Sequence, residues 1–247
     1  MFLGLAFAAY GSVEARIPIA RIVDPGRAFA RPMHAALLDD ARRDRRTWLA
    51  ADVGRVLVID GVRLEFLHPA SSLDDTWEAN ELSVVIRLEW QGFSALLTGD
   101  AGAPAERALL AAHRDRLRVD VLKVGHHGSR SSTTAELVAA TRPGIALIPV
   151  GRGNRYGHPH PTVLRRLEEA GIRVFRTDVH GDLVLRVAPG APPTVTTSLA
   201  DENHAPAAGQ TTAVRAGRRA PSRRRRAARG PLAARAGRAA VRHGPGG

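Results

Sequence analysis

From residue 93 onward one unit occurs three times: a short apolar run, a polar loop and a helix-like segment. The runs are "FSALLTGD", "VDVLKVGHHGS" and "GIALIPVGRGNRYGHPH". The segments behind them are "APAERALLAAHRDRL", "STTAELVAATR" and "HPTVLRRLEEAG". The second and third runs barely alternate, as expected of strands buried on both faces. The helical segments carry their own boundary signals. Pro104 falls in a first turn, Glu136 follows a Ser/Thr cluster, and Pro161 opens a helix that Gly171 closes. This succession dictates an α/β layered (α+β layered) domain and excludes a helical bundle or an all-β barrel.

Upstream, the period is two rather than 3.6. "RVLVIDGVRLEFLHP" (55–69) reads as a hairpin around Asp60-Gly61, a dipeptide that tolerates positive φ. "LSVVIRLEW" and "FSALLTGD" form a second hairpin around Gln91-Gly92. Residues 13–24 read as a helix end leading into a short strand, residues 31–45 as a helix, and residues 71–81 as a polar loop. "IRVFRT" and "DLVLRV" are expected to close the domain as a hairpin, with "DVHG" as its turn. After about residue 188 the chain turns to Ala, Arg, Gly and Pro, and too little apolar surface remains to offset ordering entropy. The expected organisation is therefore an apolar start (1–12), one domain (13–188) and a disordered tail (189–247).

Charge follows that division. All 11 cationic side chains from residue 203 on are arginines, with no acid among them, which leaves residues 1–200 at only +3 of the overall +12. Lys123 is the only lysine against 35 arginines, a bias expected of a GC-rich gene. There is no cysteine, so any metal must be held by histidine and carboxylate, a donor set suited to zinc or manganese. No stretch approaches the roughly 20 apolar residues of a membrane span. "MFLGLAFAAYGS" lacks the basic flank of a signal peptide and leaves localisation open.

The polar groups gather where strands end. Thr98, Gly99 and Asp100 follow the first run; His126, His127 and Ser129 follow the second; Asn154, His158 and His160 follow the third. Ligands bind beyond the carboxyl ends of strands in open α/β sheets. Each cluster also has a plain reading: Asp100 as a helix cap, the paired histidines as a satisfied loop, His158 and His160 as loop content. Together they suit another role. An aspartate can bridge two cations, an imidazole can complete a metal shell, and His, Ser or Asn side chains can hold a phosphate. His68, at a strand end before Pro69, is a weaker candidate metal ligand.

"LLTGD", then "LKVGHHGS", then "IPVGRGNRYGHPHPTVLRRLEEAGIRVFRTDVHG" resembles the C-terminal metallo-β-lactamase-like domain of ComEC-family DNA-internalisation proteins. The likeness runs from about Ile17 to Val187. It implies an αββα sandwich with a two-metal hydrolase site at the sheet edge, acting on DNA. It implies Asp100 as the bridging aspartate and one of His126 and His127 as a ligand. The reading adopted gives the metal to His127 and the phosphate or leaving group to His126, with His158 and His160 lining the substrate side and Ser129 and Asn154 binding substrate. The family domain is associated with a membrane channel and lies outside the cytoplasmic membrane.

One departure limits that implication. The family's His-x-Asp-x-Asp-His string is absent. The first half of the sandwich is expected to be incomplete, as in a truncated, frameshifted or split gene product, with the missing half or a channel portion as partner. The implied nuclease would then be weak or inactive alone. A second reading is a non-enzymatic chain that binds nucleic acid through its arginine-rich tail. A third, another phosphoesterase or lactonase of the superfamily, is disfavoured by "NRYGHPHP".

Overall fold

The computed structural model describes residues 21–25, 39–43, 45, 47–70 and 77–199. The apolar start, the stretch from 200 on, and most of the helix expected over 31–45 lie outside these residues; 39–43 are helical. The centre is a seven-stranded sheet whose strands lie side by side in chain order. They are β3 (Val56–Ile59), β4 (Val62–His68), β5 (Val85–Trp90), β6 (Phe93–Leu97), β7 (Val121–Lys123), β8 (Ile145–Ile148) and β9 (Arg173–Arg176).

The sheet changes character at β6. β3 to β6 pair antiparallel through two tight hairpins, while β6 to β9 pair parallel. Asp60 and Gly61 take φ of 50° and 78°, and Gln91 and Gly92 take 44° and 89°, so both two-residue turns are left-handed as expected. Parallel pairing needs long crossovers. α1 (Ala103–His113), α2 (Ala135–Thr141) and α3 (Pro161–Glu169) provide them.

Alternation along the strands separates two faces. Val85, Leu96 and Leu122 pack with Leu109 and Leu110 of α1 and Leu137 of α2. Ala146 and Ile148 pack with Val163 and Leu167 of α3. The residues between them point the other way. Ala95, Val121 and Ile145 meet Leu185 and Val195, while Leu64, Phe66 and Ile86 meet Val23. Two small sheets supply those partners: the parallel pair β1 (Arg21–Asp24) and β2 (Thr47–Ala50), and the antiparallel pair β10 (Leu183–Arg186) and β11 (Thr194–Thr197). The described residues are thus helices on a sheet on further β structure, a mixed α/β fold.

Two expectations need correction. β9 does not form a hairpin with β10. It pairs parallel with β8, and Thr177–His180 forms a short helix, α4, rather than a plain turn. Arg176 clamps that turn through two bonds to Asp178, and His180 buries its ring beside Phe175. The chain therefore leaves the sheet before β10 begins. The tail boundary also moves. Residues 194–197, assigned by composition to the disordered segment, form β11. "TVTT" is a β-branched run, and Val195 reaches the core, so four residues sufficed where the surrounding composition argued otherwise.

Candidate functional site

The first loop is built around close approach. Beyond β6, Thr98 is buried and donates its hydroxyl to the Lys123 carbonyl at 2.8 Å, which joins the ends of β6 and β7. Gly99 has φ +56°, and a Cβ there would lie 3.0 Å from the Ser83 Cβ. The next amide, of Asp100, donates to Ser83 Oγ at 3.0 Å. The helix-cap reading of Asp100 fails. The N-cap of α1 is Gly102, without a side-chain cap, and the first-turn amide of Ala105 donates to Glu81 instead. The Asp100 carboxylate is left for other work, 41% exposed.

The second loop is strained. His126 and His127 both take left-handed backbone, φ 45° and 54°, followed by Gly128 at φ +81°. Two successive non-glycine residues in this region are uncommon and cost energy that the surroundings must supply. Anchors come from His126 N–H to the Gly99 carbonyl at 3.2 Å and Ser129 N–H to the His126 carbonyl at 2.9 Å. The result turns His127 toward Asp100. Its Nδ1 lies 2.6 Å from the Pro149 carbonyl. A carbonyl only accepts, so Nδ1 carries a proton, and in the neutral form of the ring Nε2 is the nitrogen with the free lone pair. That Nε2 lies 3.7 Å from Asp100 Oδ1. The carboxylate and the imidazole thus face each other, with the imidazole held from behind through its second nitrogen as metal-ligating histidines are.

The third loop closes over the second. His160 N–H donates to the Gly128 carbonyl at 2.8 Å, and a Cβ on Gly128 would come within 2.6 Å of Pro159. The His158 ring meets the His126 ring edge-on at 5.8 Å between centroids. Burial lowers the His158 pKa, and the neighbouring His126, His127 and His160 lower it further. Its Nδ1 is buried without a hydrogen-bond partner among the described residues.

Other sequence candidates have local duties. Asn154 brackets the loop by donating to the His158 carbonyl at 2.6 Å and accepting from its N–H at 2.9 Å. Through Nδ1, His160 caps α3, accepting from Thr162 N–H at 3.2 Å. Ser129 is nearly buried and shares a hydrogen bond with Ser131 at 3.1 Å. His68 is 2% exposed and donates Nε2–H to the Glu81 carbonyl at 2.7 Å. Burial depresses its pKa, and it joins no cluster with Asp100.

Sequence reasoning passed over Lys123. Its ammonium donates to the Gly99 carbonyl at 2.5 Å and lies 3.9 Å from Asp100 Oδ1, with burial lowering its pKa against the pull of Asp100. A single lysine among 36 basic residues was the signal available. It also missed Glu106, buried at 1% exposure, whose two carboxylate oxygens receive the amides of Thr133 and Thr134 ahead of α2.

The donor set fits a metal only in part. Among the described residues no three or more His, Asp or Glu side chains gather to hold an ion. Asp100 and His127 are two donors where a metal shell takes four or more.

No protein-family model matches the chain. Curated proteins do match. ComE operon protein 3 of Bacillus subtilis is 35% identical over 168 residues, 68% of this chain. Competence protein ComA of Neisseria gonorrhoeae is 36% identical over 126 residues, 50% of the chain. Recombination protein 2 of Haemophilus influenzae is 37% identical over 138 residues, 56% of the chain. These ComEC-family proteins are its homologues. The chain spans about a fifth of the length of these ComEC relatives, 21%, 18% and 17% respectively. Among solved structures, a provisionally named metal-dependent hydrolase of Parabacteroides distasonis aligns with TM-score 0.41 at 12% identity, covering 66% of this chain and 78% of that one. A provisionally named Zn-dependent hydrolase of the metallo-β-lactamase superfamily from Thermotoga maritima aligns with TM-score 0.32 at 10% identity, covering 61% and 68%. Among the described residues no helix is long and apolar enough to cross a membrane.

Proposed function

We propose that this chain carries part of a metal-dependent phosphodiesterase site of a DNA-uptake protein, on a metallo-β-lactamase-like scaffold. The observation that supports it is the facing pair Asp100 and His127, with the imidazole held from behind by the Pro149 carbonyl. A divalent ion, zinc or manganese, would lie between them and would supply Lewis-acid activation of a phosphodiester. His126 and His158 border the same rim and are the groups this reading turns toward the phosphate. His160 and Asn154 act through the loop they hold. With two donors in place, the site is completed by ligands from beyond the described residues, supplied by a partner segment, and the chain alone is a weak hydrolase.

Calorimetric titration with Zn²⁺ and Mn²⁺ tests this, paired with cleavage of labelled DNA. The expected result is weak metal binding, lowered alike by Asp100→Ala and His127→Ala, with little cleavage. Metal binding indifferent to both substitutions would overturn the assignment of the donors. Tight stoichiometric binding with DNA cleavage that Asp100→Ala removes would overturn the claim that the site is partial.

A further inference from the structure

The loop of residues 151–157, "GRGNRYG", carries an aromatic ring that the hydrolase reading leaves unused. Tyr156 is 69% exposed and is the only aromatic among the exposed large apolar side chains of the described residues. The ring is nonetheless held in place. It stacks on His158 at 5.9 Å between centroids with 23° between planes. His158 in turn has its main chain gripped on both sides by Asn154. The Arg155 guanidinium carbon lies 5.4 Å from the Tyr156 ring centre, within cation–π range. His158 also abuts His126, so two ring-to-ring steps connect Tyr156 with the paired-histidine loop.

We propose that Tyr156, backed by His158 and flanked by Arg155, stacks on a base of single-stranded DNA and presents the neighbouring phosphodiester to the rim. This takes the identity of the polymer from the phosphodiesterase reading but needs no catalysis. A rigid, exposed aromatic beside an arginine is the usual platform for an unpaired base, because every base offers a π-face. In a duplex those faces are covered by neighbouring pairs, which selects an unpaired strand. Charge agrees with a polyanion. The loop itself, residues 151–157, holds Arg152 and Arg155 and no acid. A protein partner would meet the same repulsive field unless strongly acidic.

The test uses the full chain with EDTA present, so that hydrolysis does not enter. An oligonucleotide bearing 5-iodouracil is irradiated with the protein and the crosslinked peptide is identified by mass spectrometry. A crosslink at Tyr156 is expected. Binding of a short single strand is then measured at raised salt, where the arginines of residues 203–247 contribute least. Tyr156→Ala should weaken it roughly tenfold, the loss of one stacked base, while Tyr156→Phe should retain it. No crosslink at Tyr156, an abasic strand that competes as well as an ordinary one, or equal binding of blunt duplex would each overturn the proposal. Asp100→Ala should leave the crosslink unchanged, so a failed donor assignment and a failed stacking contact give different results.

Discussion

The Lys123 ammonium joins Gly99 and Asp100: it donates to the carbonyl of one at 2.5 Å and stands 3.9 Å from the carboxylate of the other. One half-buried cation thus fixes the bend that carries the aspartate out of β6. Replacing it with methionine, Lys123→Met, keeps the stem and leaves the Gly99 carbonyl without that donor. A loss of about 1–3 kcal/mol is expected. Urea unfolding of the two proteins measures it, and a change within error would show that water replaces the ammonium.

Glu106 should matter more to stability than its place in an amphipathic helix suggests. Its carboxylate receives two backbone amides, and Arg166 reaches the carbonyl of the same Thr133. Glu106→Ala strands both amides in a buried setting and should cost roughly 3 kcal/mol. Glu106→Gln, which keeps one acceptor, should cost about half that amount. Denaturation midpoints of the three proteins give the comparison, and equal losses for Ala and Gln would contradict the two-amide account.

Glu65 gives the fold an acid-sensitive cluster. Burial acts to raise its pKa, but hydrogen bonds and charge from Arg63 and Arg116 outweigh burial and hold it below the ordinary glutamate range. The folded state therefore binds this proton less readily than the unfolded chain does. The contribution is present above the unfolded value of about 4.3 and is lost as pH falls through the folded one. Glu65→Gln should be less stable than the parent at neutral pH, and the gap should close on acidification below about pH 4. A gap constant with pH would mean that packing, not charge, sets the difference.

His160 separates capping from substrate contact. His160→Ala should cost about 1 kcal/mol through the N-cap of α3, whereas His160→Asn should cost little. Thermal unfolding of both variants checks this. Stability lost equally in both would point to a role for the ring beyond its cap.

The arginines from residue 203 on make a separate prediction about nucleic acid. Removing residues 203–247 should flatten the salt dependence of DNA retention, by up to about one logarithmic unit of slope per phosphate neutralised. An unchanged slope in filter binding would rule the tail out as the contact.

Most of the layered fold was legible because its signals are local. The two left-handed turns at Asp60-Gly61 and Gln91-Gly92 and the switch to helical period after Asp100 need no tertiary information. Strand partners were not legible. "IRVFRT" and "DLVLRV" read equally well as a hairpin, whereas β9 pairs with β8, and the clamp of Arg176 on Asp178 and the packing of His180 shape the helical turn that follows it. The site divides in the same way. The strand-end polar groups were visible as residue types, but whether a side chain faces outward or serves its own loop depends on partners distant in sequence. The Pro149 carbonyl is 22 residues from the His127 it orients. The lone lysine is in plain view in the sequence, but nothing local to "LKVG" reveals that it serves the carbonyl of Gly99.

The seven central strands lie in chain order, and this has a consequence for how the rim comes into being during synthesis. Each strand from β4 to β9 finds its partner already emerged, so pairing proceeds without waiting for distant sequence. The Asp100 bend is pinned by Lys123 when β7 pairs with β6, and the paired histidines that follow β7 dock on the Gly99 carbonyl. His127 is oriented only later, when β8 delivers Pro149. The facing pair is therefore among the last features of the sheet to be completed, assembled on a surface that earlier strands have already fixed.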